Sequence, residues 1–336
     1  MKSTADYILA TGRIRVLEKD LITSDALTRM IEARDEEEAF KVLSEFDYSD
    51  ELLKESNPEK YEQVLAHDMM QTRQFVKEVV DDERVLNWLF SEHDFHNAKC
   101  MFKQKFFEED LSSYISKLGN VDVEKLREAI VDESDSLPEG EFKTIIQDAQ
   151  EFFSTDETKH PERVDAYLDQ QYYGYLLMTA KELNDEFVLN LTKKRIDLAN
   201  SKLMVRGKEL EKDFAFIEER FIDGGTLNVD LYRSRFEDES NETFLLEVSH
   251  IFVSPIVEEY IKQALETGSY YLLEKAFEVF EASIASEGKK EAFGLEVLLA
   301  YVLAKKIANM NIRKVMVGKI NGIPKEQILD RIIEFA

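Results

Sequence analysis

The sequence predicts an all-α protein. Glycine and proline are scarce, at 12 and 5 of 336 residues, which argues against a loop-rich or β-rich fold. Apolar residues recur at helical spacing, as in Val85, Leu86, Leu89 and Phe90, and again in Tyr172, Tyr173, Leu176 and Leu177. No alternating apolar–polar stretch is long enough to read as a strand. A chain of this length buries about three quarters of its unfolded surface, so its core needs no disulfide or metal. Length alone allows about two domains.

The elements follow in chain order. Met1 to Asp6 leads into Arg13, Arg15 and Glu18 with no apolar stretch, so no signal peptide is expected. Asn57-Pro58, His160-Pro161 and Ser254-Pro255 mark helix starts, because proline suits the first helical position. Asp132 to Gly140 and Glu237 to Asn241 read as loops. The apolar run Val297 to Ala304 is closed by Lys305 and Lys306, far short of the roughly 20 residues that cross a bilayer. A soluble protein is expected.

Charge and cysteine content narrow the function. With 43 Lys+Arg against 69 Asp+Glu, the net charge is −26. Nucleic-acid binding needs clustered cations, and an anionic bilayer repels such a surface. The expected partner is another protein, with no direct lipid anchor. Cys100 is the single cysteine, so no intrachain disulfide forms, and a cytoplasmic location is expected.

An internal repeat organises the chain. Asp94-Phe-His-Asn97-Ala-Lys99, Asp197-Leu-Ala-Asn200-Ser-Lys202 and Ala308-Asn-Met-Asn311-Ile-Arg313 align without gaps. Eight residues past each central Asn stands a second lysine: Lys105, Lys208 and Lys319. The Asn-to-Asn steps are 103 and 111 residues, and Pro58 and Pro161 each precede their Asn by 39. Pro255 precedes Asn311 by 56, so an insertion lies between them or that proline opens a different helix. A smaller signature occurs four times: Ile22/Asp25/Leu27, Val121/Glu124/Leu126, Leu227/Asp230/Tyr232 and Ile323/Glu326/Ile328. Thr23, Asp122 and Asn228 fall where an N-cap belongs, with Pro324 in that place in the last copy, so each reads as a helix start. The repeat divides the chain into helical modules at 1–120, 121–226 and 227–336. Four starts against three long units suggest that both terminal helices complete a closed or curved assembly.

The repeated polar residues, Asn97, Lys99, Lys105, Asn200, Lys202, Lys208, Asn311, Arg313 and Lys319, allow two readings. Structurally, Asn bonds nearby backbone and the cations solvate the surface. Functionally, the cations form a three-fold array that binds a partner. The two cations of each copy lie six residues apart, about 240° net around a continuous helix, so they share no narrow face. The structural role ranks first.

Chemical motifs are few. His93, His96 and Cys100 can share a helical face and resemble a metal site. Their counterparts in the second repeat, Ile196, Ala199 and Leu203, are apolar, so that face is expected to pack, and neither metal nor cofactor is expected. His67, His160 and His250 are scattered, no phosphate-binding loop occurs, and Asp223-Gly224-Gly225 is a lone turn. The acidic cluster Asp35 to Glu38 reads as a solvated face. Nothing points to catalysis.

Together these segments resemble the C subunit of V/A-type rotary ATPases, known as the d subunit in the eukaryotic vacuolar enzyme. Asp94-Phe-His-Asn97-Ala-Lys99 is similar to that family's repeated D-x-x-N-x-[KR] element. Asn311 to Lys319, running on to Gly322-Ile323-Pro324-Lys325-Glu326, is similar to its C-terminal signature, and Tyr7 to Lys19 fits its opening. Ala308 departs from the pattern by replacing the acid. The resemblance implies a funnel of three similar helical modules around a pseudo-three-fold axis with a central cavity. It implies a non-catalytic rotor subunit, one copy per complex. Such a subunit joins the central stalk subunits of the catalytic head to the membrane proteolipid ring and passes torque for H⁺ or Na⁺ transport. An open helical-repeat scaffold is the first competing class, and a metal-dependent enzyme using His93, His96 and Cys100 ranks behind it.

Overall fold

Apolar residues at three- and four-residue spacing, started by polar caps, produce helices throughout the computed structural model. It describes residues 8–46, 48, 57–155, 160–236, 254–267 and 269–333, and among these every regular element is helical. Met1 to Tyr7 and the loop expected at Glu237 to Asn241 lie outside the described residues.

Helix α1 (Ile8–Leu17) runs into a 3₁₀ turn at Glu18–Asp20, followed by α2 (Ser24–Glu32) and α3 (Glu36–Lys41). Thr23 accepts the Ala26 N–H and Asp35 the Glu38 N–H, so side chains satisfy both helix starts. Pro58 opens a 3₁₀ turn, Pro58–Lys60, that leads into α4 (Tyr61–Val79). Asp82 caps α5 (Glu83–Phe107), which stops at Glu108 in the left-handed region. Then come α6 (Val123–Ile130) and α7 (Glu141–Thr155), separated by the expected loop at Asp132 to Gly140. Proline stands first in α8 (Pro161–Leu183), which turns at Asn184 into α9 (Glu186–Glu209). The short helices α10 (Phe214–Arg220) and α11 (Val229–Phe236) follow. Proline again stands first in α12 (Pro255–Thr267), ahead of α13 (Tyr270–Gly288), α14 (Leu295–Ile320) and α15 (Lys325–Arg331).

These helices form two compact units. One spans residues 82–251. In it α5 lies along α8, α8 hairpins into α9, and α6 and α7 close a core around Ala98, Met101, Phe102, Leu126, Ile146 and Phe153. The other unit joins residues up to 81 with those from 252 onward. Its axis is α14, against which α1, α2, α3, α4, α13 and α15 all pack. The run Val297 to Ala304 is therefore the interior of a helix buried on every side, and each of its eight residues is buried. Among the described residues no helix is long and apolar enough to cross a membrane.

Candidate functional site

Each repeated Asn is a backbone clamp. Asn97 on α5 donates from Nδ2 to the Ser116 carbonyl at 2.8 Å and accepts the Ser116 N–H at 2.8 Å. Asn200 on α9 does the same to Ile222, at 2.8 and 2.9 Å. Asn311 on α14 does the same to Ile333, at 2.8 and 3.0 Å. A carboxamide presents a donor and an acceptor side by side at any ordinary pH, so it can pair with a residue's carbonyl and N–H together.

The acid one turn earlier holds the next stretch of chain. Asp94 accepts the N–H groups of Asn120 and Val121 at 3.0 and 2.9 Å. Asp197 accepts those of Thr226 and Leu227 at 3.0 and 3.1 Å, with the Thr226 hydroxyl as a further donor. Burial raises the Asp197 carboxyl above the usual range even against these donors. Gly119 and Gly225 lie against the two carboxylates, where a Cβ would run into Asp94 Oδ1 and Asp197 Oδ1. The turn at Gly224-Gly225 thus belongs to the clamp.

The second lysine of each repeat caps a short helix. Lys105 Nζ donates to the Ile130 carbonyl at 2.7 Å, at the end of α6. Lys208 donates to the Arg235 carbonyl at 3.1 Å, in the last turn of α11. Lys319 donates to the carbonyl of Ala33 at 2.5 Å, the C-cap of α2. In the third copy the capped helix is therefore contributed by the opening segment of the chain. A cation at a helix C-terminus satisfies orphan carbonyls and complements the helix dipole.

One expectation needs correction. The starts of α2, α6 and α11 are equivalent, with Thr23, Asp122 and Asn228 each capping by side chain. The fourth copy of the small signature, at Ile323, starts a different helix. Helix α15 begins fourteen residues past Asn311, as α10 begins fourteen past Asn200, and each precedes the residue that its Asn clamps. Only α2 supplies the missing start; α15 matches α10.

Comparison with known proteins bears directly on this architecture. The model of the family described as ATP synthase (C/AC39) subunit matches residues 10–331. The chain belongs to the ATP synthase (C/AC39) subunit family. It is 25% identical to the C subunit of the A-type ATP synthase from Methanocaldococcus jannaschii, over 98% of this chain and 86% of that protein. It is 23% identical to the C subunit of the V-type sodium ATPase from Enterococcus hirae, over 95% of each. It is likewise 23% identical to the C subunit of the A-type ATP synthase from Thermococcus kodakarensis, over 98% of this chain and 91% of that one. The chain is thus a rotary ATPase subunit.

The remaining repeated cations of this C/AC39 chain are Lys99, Lys202 and Arg313, and two of them pair with acids on neighbouring helices. Lys99 pairs with Asp169 of α8 at 2.5 Å, and Arg313 forks onto Glu62 of α4 at 2.5 and 2.8 Å. Burial works against the Glu62 carboxylate, yet Arg313 and the Tyr61 hydroxyl outweigh it and hold its pKa below the usual range. Lys202 lies half-buried on α9.

The histidines do not converge on a metal position. His93 Nδ1 lies 3.1 Å from the Ser116 hydroxyl, and exposed His96 bonds the Tyr114 carbonyl at 2.9 Å. Cys100 is buried, and burial pushes its thiol up. Among the described residues no three His, Cys, Asp or Glu side chains gather to hold a metal ion.

Two features escape the sequence pattern. Gly119 and Gly225 align only when the second copy carries three more residues between its Asn and the residue clamped, and an ungapped repeat hides that match. The second feature is a buried polar network in the terminal unit, where Lys305 Nζ donates to Asp68 Oδ1 at 2.6 Å.

Proposed function

We propose that this chain is the non-catalytic linking subunit of its rotary ATPase, joining the central stalk of the catalytic head to the membrane proteolipid ring. It turns with the rotor and transmits torque, one copy per complex, and reaches the membrane through protein rather than lipid. The three modules at 1–120, 121–226 and 227–336 form a closed funnel, with α2 lent to the third. The observation that carries this reading is the Lys319 cap on α2. It repeats at the junction of the chain's two ends what Lys105 and Lys208 do within continuous chain. An open solenoid leaves its last unit uncompleted.

Torque transfer demands helices and joints that do not slip. Paired hydrogen bonds at each clamp fix one register, whereas apolar contact alone tolerates sliding. The net charge of −26 favours a stalk or ring surface that presents cations, through faster and more selective encounter.

Co-purification from gently extracted native membranes tests the assignment. Both the proteolipid ring and the stalk subunits should accompany the tagged chain, and recovery of neither refutes it. Stalk affinity should fall as salt is raised, and an affinity indifferent to ionic strength removes the electrostatic part. Solution scattering should show a compact three-lobed particle; an elongated one favours the open scaffold.

A further inference from the structure

The junction of the chain's ends is built differently from its counterpart in unit 82–251. Where α5 meets α8, Phe95 packs edge-on against Tyr172 at 5.5 Å and lies 5.8 Å from Tyr175, with Phe142 at 5.2 Å. The corresponding pair in the terminal unit is α14 with α4. Two residues before its clamp Asn, α5 carries Phe95 and α14 carries Asn309; six before, Ser91 is replaced by Lys305. Counted from Pro161 and Pro58, Tyr172 and Tyr175 become Met69 and Thr72, and Gln171 becomes Asp68.

An aromatic contact has thus been exchanged for an ionic one. Lys305 and Asp68 pair at 2.6 Å with side chains 7% and 3% exposed. Asn309 Nδ2 donates to Asp68 Oδ2 at 3.0 Å and lies 3.4 Å from the Leu65 carbonyl, while its Oδ1 accepts the Tyr48 hydroxyl at 3.3 Å. The Lys305 ammonium sits 5.4 Å from the centre of the Tyr48 ring. Thr72 is smaller than its counterpart Tyr175, and an open pocket of about 440 Å³, lined by Thr72, Asp68 and Lys305 among others, lies beside the pair.

We propose that this network selects the partner of α14: the Asp68–Lys305 pair makes α4, and not the similar helices α8 or α12, the one surface on which α14 docks. The chain offers three related helices, after Pro58, Pro161 and Pro255, and α14 must find one 237 residues away. Apolar mismatch discriminates less: α8 presents Tyr172 and Tyr175 where α4 presents Met69 and Thr72, and misfitted apolar side chains can repack. A buried ammonium discriminates strongly, because docking on a helix without the carboxylate leaves it buried and unpaired. At the position of Asp68, α8 carries Gln171, which cannot neutralise it. A well-packed apolar replacement of such a pair is often no less stable. What the pair supplies is specificity.

The test uses the full chain, unfolded in denaturant and refolded by dilution. In an apolar variant carrying Asp68→Leu and Lys305→Met, the folded fraction should melt no lower than the parent. Its misassembled fraction after refolding, read by size exclusion with light scattering, should rise about tenfold. A misassembled fraction equal to the parent's overturns the proposal. A second pair of variants covers failure of the first to fold. Asp68→Lys alone should misassemble, and Asp68→Lys with Lys305→Asp should recover the monomer. If the double exchange refolds no better than the single one, charge complementarity does not choose the partner.

Discussion

Replacing the clamp asparagines by leucine should destabilise the protein in an order set by the burial of the clamped peptide. Asn200→Leu strips two partners from Ile222, whose residue is 7% exposed, and Asn311→Leu strips two from Ile333, at 1%. Each orphaned buried group costs about 1–3 kcal/mol, so either variant should lose about 2–6 kcal/mol. The first copy differs because Ser116 is only half-buried, and water can take over its two bonds. Asn97→Leu should therefore lose about 1 kcal/mol. Aspartate offers no rescue, since its second oxygen would face the clamped carbonyl where Nδ2 now donates at 2.8 Å. Urea unfolding followed by far-UV circular dichroism measures these losses, with the denaturant slope unchanged. Equal losses at all three positions would refute burial as the controlling variable. No loss at Asn200 and Asn311 would refute the clamp.

Three further outcomes follow from the same geometry. Lys319→Ala removes a charge-assisted bond to the Ala33 carbonyl and should cost about 1–2 kcal/mol in urea unfolding, as should Lys105→Ala at Ile130. Gly225→Ala forces a methyl into the Asp197 carboxylate and should cost about 1–3 kcal/mol by overpacking, whereas Gly12→Ala, with open space around it, should stabilise or leave α1 unchanged. Glu62 has its carboxyl pKa lowered in the folded state, so the Arg313 pair contributes stability above the unfolded value of 4.5 and loses it as pH falls through the folded one. Both side chains are about half exposed, which limits the contribution to about 0.5 kcal/mol; Glu62→Gln should flatten the acid limb of the stability curve by that amount.

Much of this was legible in the sequence because it rests on local rules. Helix starts at Pro161 and Pro255, and caps at Thr23, Asp122 and Asn228, depend only on residues within a turn of each other. The Asn repeat was legible as a pattern, and its structural role ranked first. What it holds was not legible. Ser116, Ile222 and Ile333 carry no side-chain signature, because their backbone and not their side chains is recognised. The glycines beside the acids were hidden by a three-residue difference in loop length. The ionic junction was hidden for another reason: Lys305 reads as the polar end of an apolar run, and only the fold brings Asp68 to it.

Ala308, the apparent flaw in the repeat, is informative in this light. In the first two copies the acid accepts N–H groups from a loop that runs on from the clamped residue into a short helix: Asn120 and Val121 before α6, Thr226 and Leu227 before α11. In the third copy the clamped residue is Ile333, but the short helix is α2, and its lead-in is another stretch of chain altogether. There the Leu21 N–H already has an acceptor in the Glu18 carbonyl at 3.4 Å. A carboxylate at position 308, which is fully buried, would stand in an apolar core that holds Ile22, Ile312 and Ile328. Burying an unpaired charge is far costlier than burying alanine. The acid is therefore absent at the one copy whose short helix comes from elsewhere in the chain, while Asn311 and Lys319, whose backbone partners remain, are kept. The repeat loses its acid only where the short helix and its lead-in arrive from another stretch of chain, and the place of the loss marks where the two ends of the chain are joined.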